Sequence, residues 1–171
     1  MIAKSLDVFV VLKLLLQSQP KTYADLAKEL GMSASEIHAS VRRSANAGLV
    51  EPQTKKVLRE AFEEYLVHGV RYAFPAMRGS ICRGLPTAHA APPLSEEFGG
   101  DDLPPVWPDP EGTVKGYALV PLHNSAAAAA RQDARFYELL ALVDALRCGR
   151  ARERAAAIRE LKQRLGHAHA D

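Results

Sequence analysis

The stretch that decides the fold is residues 22–43, TYADLAKELGMSASEIHASVRR. It begins with a capping pattern, since Thr22 stands three positions before Asp25 and each side chain can accept a hydrogen bond from the other residue's backbone N–H. This pattern predicts a helix from Tyr23 to Leu30. Gly31 then ends the helix, because glycine adopts the left-handed conformation of a helix end without a steric penalty.

A second capping pattern opens the next helix. Ser33 stands three positions before Glu36, which predicts a helix over about 33–47. Ile37 and Val41 lie about one turn apart and form its inward stripe. The sequence therefore predicts two helices joined by a three-residue turn that contains glycine.

The residues on either side of this unit predict three further elements. A helix over about 5–17 is apolar around much of its circumference, so we expect it to be buried or to pack on a partner chain. After a short hairpin around 52–54, an apolar stripe predicts a fourth helix over about 57–68. The alternating, aromatic run Val70–Phe74 predicts a strand.

The middle of the chain is rich in residues that break helices, since nine of the eleven prolines lie within 75–121. Two β-prone runs, Val106–Trp107 and Val114–Val120, flank an Asp-Pro-Glu-Gly sequence at 109–112. That sequence is typical of a type I turn ending in a left-handed glycine. We expect an irregular segment with a β-hairpin, a bulge at Gly116, and the strand after the fourth helix as a possible third strand.

The last part of the chain is again helical in pattern. A helix over about 125–147 carries a continuous apolar stripe, and Gly149 ends it. A second helix from Arg150 to Leu165 has an arginine-rich outer face. Such a face is either solvated surface or a surface for phosphate groups.

Together these patterns predict a mainly α fold with a small β component. The expected organisation is a helix-turn-helix domain at 1–74, a Pro/Gly-rich segment with a β-hairpin at 75–124, and a C-terminal pair of helices at 125–171. We expect the C-terminal helices to form a dimer contact or to pack on the first domain.

The net charge of +2 conceals an uneven distribution. Residues 1–72 carry ten Lys or Arg against eight Asp or Glu, residues 73–124 carry three against six, and residues 125–171 carry nine against six. The two ends are therefore basic and the middle is acidic. A basic end is compatible with a nucleic-acid partner, which the overall charge alone would not indicate.

The segment Ala24–Ser33, followed by Ile37 and Val41, resembles the helix-turn-helix of bacterial transcription regulators. The following Ala47–Glu51, AGLVE, resembles the entry to the wing in winged-helix proteins of the MarR-like kind, so that the resemblance covers about residues 6–58. It implies a winged helix-turn-helix fold that binds double-stranded DNA as a homodimer. Phrases at 67–75 and 87–93 also resemble a group of bacterial winged-helix proteins of unassigned function.

The resemblance makes the helix at about 33–47 the recognition helix, with its outward residues as candidate DNA contacts. Arginine can bridge guanine O6 and N7, and serine can bond base edges or phosphates. The wing departs from the family pattern because it is short, which places its two lysines against phosphate rather than in a groove. The candidate DNA-binding residues are Ser33, Ser35, His38, Ala39, Arg42, Arg43, Lys55, Lys56 and Arg59.

The resulting functional hypothesis is a sequence-specific transcriptional regulator that acts as a homodimer. The first helix and the C-terminal helices are the candidates for the dimer contact. The alternative is a winged-helix module that binds protein, such as an antitoxin or an adaptor that covers a partner enzyme with its Pro-rich middle. The acidic middle favours this alternative, because it would repel DNA.

An enzyme is not expected, since the sequence contains no nucleotide-binding loop and no serine-nucleophile motif. The histidines and cysteines lack the spacing of metal ligands, so neither a metal nor another cofactor is predicted. Arg71, Arg78 and Arg83 leave open a pocket for an anion in the middle segment. Two cysteines, no signal-peptide pattern and no membrane-spanning run predict a cytoplasmic protein without a membrane partner.

Overall fold

The computed structural model describes residues 3–166. The part of the predicted C-terminal segment that follows Gly166 lies outside the described residues. Within them the chain forms nine α-helices and three short strands, a mainly α fold with a small β component, as predicted. In chain order these elements are α1 Ser5–Leu15, α2 Tyr23–Leu30, α3 Ala34–Asn46, α4 Arg59–His68, α5 Val70–Ala73, β1 Arg78–Pro86, α6 Ser95–Phe98, β2 Pro105–Pro108, β3 Val114–Leu119, α7 Ala126–Gln132, α8 Ala134–Cys148 and α9 Ala151–Gly166.

Both predicted capping boxes are present, which confirms the bounds of α2 and the start of α3. The Thr22 hydroxyl accepts from the backbone N–H of Asp25 at 3.1 Å, and the Ser33 hydroxyl accepts from that of Glu36 at 3.2 Å. Gly31 has φ +64°, the left-handed conformation expected of a helix end. Two helices joined by a three-residue turn are therefore formed from local signals in residues 22–43.

A very short hairpin follows α3. Val50 and Val57 form an isolated antiparallel bridge, and the backbone N–H of Glu51 donates to the carbonyl of Lys56 at 2.8 Å. Lys55 lies in the turn with φ +59°. The hairpin therefore consists of one bridging pair, Val50 and Val57, with six residues between them.

The strand predicted at Val70–Phe74 is wrong, because these residues form the single helical turn α5. The backbone N–H groups of Tyr72 and Ala73 both donate to the carbonyl of Gly69 at 3.0 Å. Val70 is the one buried residue of α5, whereas Tyr72 is exposed. A run of only five residues that includes aromatic side chains is compatible with the period of a strand and with that of a helix. Packing therefore decides which of the two elements forms.

The predicted hairpin of β2 and β3 is also wrong. These two strands are parallel to each other, and β1 pairs antiparallel with both, so that three strands close a very small barrel. The third strand is therefore Arg78–Pro86. The middle segment is more regular than its proline content suggested.

Two glycines explain why the turn between β2 and β3 does not make a hairpin. Gly84 of β1 pairs with Pro108 on one side and with Val114 on the other, so the connecting turn crosses over β1. A Cβ atom on Gly112 would lie 2.3 Å from the Cα of Gly84. Only glycine permits this crossing, and β2 and β3 consequently lie on opposite sides of β1.

The details predicted for the two glycines of the hairpin are corrected as well. Gly112 does not adopt the left-handed conformation, although the turn hydrogen bond from its N–H to the Asp109 carbonyl is formed at 2.9 Å. The strand irregularity lies on β1 between Arg78 and Ile81 rather than at Gly116. Gly116 is required by close approach instead, since a Cβ there would lie 2.0 Å from the carbonyl oxygen of Pro104.

The helix predicted over 125–147 is two helices, α7 and α8, which are separated at Asp133. This residue has φ −146° and caps α8, because its carboxylate accepts from the backbone N–H of Phe136 at 3.1 Å. The same carboxylate accepts from the ammonium group of Lys13 on α1 at 2.8 Å. The interruption is therefore stabilised by a contact 120 residues away in sequence, which no local pattern contains.

Residues from all three predicted segments contribute to a single hydrophobic core. Helix α8 lies at its centre, with every residue from Leu139 to Arg147 buried, and packs against α1, α5, α7 and α9. The rings of Phe9 and Phe136 are 5.1 Å apart across the contact of α1 with α8. Among residues 3–166, no helix has the length and apolar character to cross a membrane.

A buried polar network connects α8 to the middle segment. Asp144, 1% exposed, accepts hydrogen bonds of 2.7 Å from the Thr87 hydroxyl, the Trp107 indole N–H and the Arg147 guanidinium. Arg147 also donates to the backbone carbonyls of Phe74 at 2.8 Å and Val120 at 3.2 Å. Each buried charge is therefore paired and hydrogen-bonded, the condition under which burial of a charge is tolerated.

Candidate functional site

The exposed face of α3 carries most of the predicted outward residues. Ser35, His38 and Arg42 are exposed and Ala39 is half-buried. Asn46 continues the same face one turn beyond Arg42 and is also exposed, although sequence reasoning did not single it out. Its position four residues after Arg42 was the available signal. The face therefore presents hydroxyl, imidazole, guanidinium and amide groups in one row.

Ser33 lies at the beginning of this row and is engaged by its capping box. Its hydroxyl donates to the Glu36 carboxylate at 2.8 Å and lies 3.1 Å from the Ser35 hydroxyl. The backbone N–H of Ser33 donates to the same carboxylate at 2.9 Å, and these bonds lower the pKa of Glu36. Glu36 is therefore ionised at neutral pH and held against the helix end.

The expectation that Arg43 points outward is wrong. Its guanidinium turns into the protein and makes a two-pronged contact with the buried carboxylate of Asp7 on α1, with N···O distances of 2.7 and 3.0 Å. The Ser40 hydroxyl donates to Asp7 at 2.8 Å. The hydrogen bond to Asp7 raises the pKa of Arg43. Arg43 fastens the inner side of α3 to α1 instead of extending the outer face.

Lys55 reaches the face of α3 through an aromatic side chain. Its ammonium nitrogen lies 4.1 Å from the centre of the Tyr23 ring, a cation–π distance. The Tyr23 ring meets the His38 ring edge-on, with centres 5.2 Å apart. The short hairpin, the start of α2 and the exposed face of α3 therefore form one continuous surface, which we call the head face: Tyr23, Ser35, His38, Arg42, Asn46, Lys55 and the exposed Lys56.

Tyr23, the first residue of α2, is a member of the head face that was not among the predicted DNA-binding residues. It is half-buried, so it packs on the core with one side and receives Lys55 with the other. Sequence spacing could not reveal this contact, because the left-handed conformation of Lys55 aims its side chain back at α2.

Arg59 is not part of the head face. Its guanidinium donates to the carbonyl of Leu165 at the end of α9 at 3.1 Å, and burial lowers its pKa. The side chain is half-buried in the contact of α4 with α9. The guanidinium of Arg59 therefore has a structural role in joining α4 to α9, and this contact leaves it less available for the predicted contact with phosphate.

The predicted groups of the middle segment are dispersed. His68 is exposed, His123 is half-buried beside the Ser125 hydroxyl at 2.7 Å, and His89 is buried against Asp101 at 2.6 Å. Within residues 3–166, no three His, Cys, Asp or Glu side chains are grouped closely enough to hold a metal ion. Arg71 and Arg83 remain on the surface, whereas Arg78 borders a cavity with His89.

Neither α1 nor α8 offers an open apolar face for a dimer contact. Residues Asp7–Lys13 of α1 and Leu139–Arg147 of α8 are buried within the chain itself. Large apolar side chains are instead exposed beside the barrel, at Tyr72, Met77, Ile81 and Val120. Along β1, residues 78–82 pair with β3 on one side and have no partner strand among the described residues on the other.

Comparison of this chain with models of protein families, with curated proteins and with solved structures finds no match.

Proposed function

We propose that this protein is a sequence-specific DNA-binding transcriptional regulator that uses α3 as a recognition helix. The observation that carries the proposal is the head face, which joins an exposed polar row on α3 to the two lysines of the hairpin. Helix α3 is capped by Ser33 and joined to α1 by the Arg43–Asp7 ion pair, so this row of side chains is held in one orientation. The sequence resemblance to MarR-like winged-helix regulators supports the same function.

The chemistry of the head face suits a major groove. Arg42 can donate two hydrogen bonds to guanine O6 and N7, and Asn46 can do the same with adenine N6 and N7. Both lie on one side of α3, where a groove would reach them together. In this proposal Lys55 and Lys56 of the hairpin contact phosphate groups, and these contacts fix the register of α3 without reading sequence.

The charge of the surface predicts moderate affinity. The head face has three cationic side chains, Arg42, Lys55 and Lys56. The nearby carboxylate of Glu36 is hydrogen-bonded to Ser33 in the capping box. Each phosphate neutralised by a cation releases counterions, so binding falls as salt rises. Because each chain contributes few cations, we expect useful affinity only when a dimer contacts two half-sites together.

We expect Arg42→Ala to weaken binding to the cognate site by about 1–3 kcal/mol, roughly a 5- to 150-fold loss, while binding to unrelated duplex changes much less. The measurement is a titration of duplexes from the protein's own upstream DNA at two salt concentrations, followed by fluorescence anisotropy. Arg83→Ala removes an exposed arginine from β1 and serves as the control, with unchanged affinity. Equal affinity for all duplexes, or equal losses in the two variants, would contradict the proposal.

The dimer contact is assigned to the exposed apolar side chains beside the barrel. The unpaired edge of β1 at 78–82 can accept an antiparallel strand, and a second copy of β1 provides the same edge with the same apolar residue, Ile81. A strand edge exposed with large apolar side chains is otherwise prone to non-specific association. The basic head face lies on separate elements and remains available to DNA.

In solution we expect a dimer at micromolar concentration, and we expect Ile81→Asp to convert it to a monomer, because a carboxylate cannot be buried unpaired at the two-fold axis. Light scattering after size exclusion measures the mass. The control is Ala128→Asp, which adds the same charge at an exposed position of α7 and should leave the dimer intact. A monomeric wild type would refute the assignment.

The same exposed apolar residues support a second candidate function, an adaptor or antitoxin that covers a partner enzyme. This second function requires that the wild-type protein is a monomer and that it binds DNA duplexes of different sequence equally. Stable one-to-one association with the product of an adjacent gene, lost in Ile81→Asp and retained in Arg42→Ala, would favour the adaptor over the regulator.

A further inference from the structure

Lys55 is held in a backbone conformation that a lysine rarely adopts. Its φ is +59°, in the left-handed region, where an L side chain crowds the following carbonyl and glycine does not. Two backbone hydrogen bonds close the turn that carries it, from the N–H of Lys55 to the Glu51 carbonyl at 2.9 Å and from the N–H of Glu51 to the Lys56 carbonyl at 2.8 Å. Strain of this kind persists where the surrounding structure over-determines it, and it is concentrated at functional positions.

The Lys55 side chain lies on an aromatic ring that is itself held in place. The ammonium nitrogen is 4.1 Å from the centre of the Tyr23 ring, whose face attracts a cation. The Tyr23 ring contacts α3, since its centre is 5.2 Å from that of the His38 ring and the two planes are at 78°. Lys55 is half-buried, whereas the neighbouring Lys56 is exposed and has no aromatic partner among residues 3–166.

The ammonium group of Lys55 keeps its charge for a ligand. None of the salt bridges among residues 3–166 includes Lys55, in contrast to Lys13 and Lys21, which both pair with Glu29. An ammonium group has three N–H donors, so a ring on one side of it leaves donors free on the other. The ring also restricts the rotamers of Lys55 before binding, so that less conformational entropy is lost on contact with a ligand.

We propose that Lys55 is a preorganised phosphate contact of the head face and that Tyr23 is the residue that positions it. This inference rests on the proposed function and assigns unequal roles to the two lysines of the hairpin. Lys55 lowers the stability of the hairpin and raises DNA affinity, whereas Lys56 adds a charge without a fixed position. Tyr23 acts through Lys55, so its contribution to binding disappears when Lys55 is replaced.

Lys55→Gly tests whether residue 55 has opposite effects on stability and affinity. Glycine relieves the left-handed strain, so the unfolding midpoint in urea should fall less than in Lys56→Gly, whose residue lies outside the left-handed region. Loss of the ammonium group should weaken cognate binding roughly tenfold. The slope of log affinity against log salt should become shallower by about one for each bound chain. Lys115→Met, at an exposed position of β3, should leave affinity and slope unchanged.

A double-mutant cycle tests the role of Tyr23. Tyr23→Leu removes the aromatic face and should weaken cognate binding roughly two- to fivefold for each bound chain. In the Lys55→Met background the same substitution should have no further effect, whereas in the Lys56→Met background it should have its full effect. Tyr23→Phe retains the ring and should restore binding. Affinities are measured by fluorescence anisotropy on the upstream duplexes, and Trp107 emission confirms that each variant is folded.

Unchanged affinity in Lys55→Gly would overturn the inference, as would a loss in Tyr23→Leu of the same size with and without Lys55. The second result would mean that Tyr23 supports the fold and not the position of the lysine. Both results leave the proposed function intact as long as the wild type distinguishes the cognate duplex from unrelated DNA. Equal binding of all duplexes by the wild type would contradict the proposed function instead, and the salt slope of Lys55→Gly on unrelated duplex would still decide whether Lys55 contacts phosphate.

Discussion

Arg147→Met is expected to lower the free energy of unfolding by about 3–5 kcal/mol, the usual cost of removing one partner of a buried ion pair. The substitution leaves the Asp144 carboxylate, 1% exposed, with only two neutral donors. It also deprives the carbonyls of Phe74 and Val120 of their donor. Methionine is close in length to the aliphatic part of arginine, so the loss reflects charge and hydrogen bonds more than volume.

Urea denaturation followed by tryptophan fluorescence measures this effect directly. Trp107 is the one tryptophan of the chain, is buried, and donates its indole N–H to Asp144, so its emission reports on the same network. Arg135→Met, at an exposed position of α8, is the matched control and should change stability by less than about 0.5 kcal/mol. Equal stability of the two variants would show that the network contributes little.

Arg43→Met and Arg42→Met are adjacent substitutions of the same kind, and we expect only the first to lower the free energy of unfolding. Arg43→Met should cost about 3 kcal/mol of stability, the lower end of the range for a broken buried pair, because 14% of its side chain is exposed. It leaves Asp7, whose side chain is 5% exposed, with the Ser40 hydroxyl and the backbone N–H of Lys4 as its remaining donors. Arg42→Met should change stability by less than about 0.5 kcal/mol, since Arg42 is exposed.

The two variants also separate folding from recognition. Arg42→Met should lose cognate DNA affinity while it unfolds at the wild-type urea concentration. Arg43→Met should unfold at lower urea, yet under native conditions its folded fraction retains the guanidinium of Arg42 for contact with DNA. If Arg43→Met were as stable as the wild type and Arg42→Met were not, the orientation of α3 described above would be incorrect.

Elements set by local signals could be predicted from the sequence, and elements set by distant contacts could not. The α2 and α3 boundaries follow from Thr22, Gly31 and Ser33, whose effects act within four residues. The interruption at Asp133 depends on Lys13, and the crossing of the turn over β1 depends on Gly84 and Gly112 meeting in space. The apolar stripe over 125–147 therefore predicted one long helix, and the turn sequence at 109–112 predicted a hairpin.

The candidate site divides in the same way. Helical spacing was sufficient to place Ser35, His38 and Arg42 on the outer face of α3. It failed at Arg43, which lies near the edge between the two faces, because Asp7 on α1 supplies a buried carboxylate that attracts it inward. The Lys55–Tyr23 contact and the His89 cavity needed the folded chain, since their members come from separate elements.

The position of α1 against α8 has a consequence for how the chain emerges during synthesis. The apolar side of α1 is complete at Leu15, but α8, which covers it, is translated last but one among the helices described. A ribosome adds residues at about 5–20 per second, so α1 stays without its final partner for several seconds. During that interval the side of α1 that packs on α8 stays uncovered, whereas the side that carries Asp7 can already contact α3. The hydrophobic core around α1 is thus completed only after α8 has been translated.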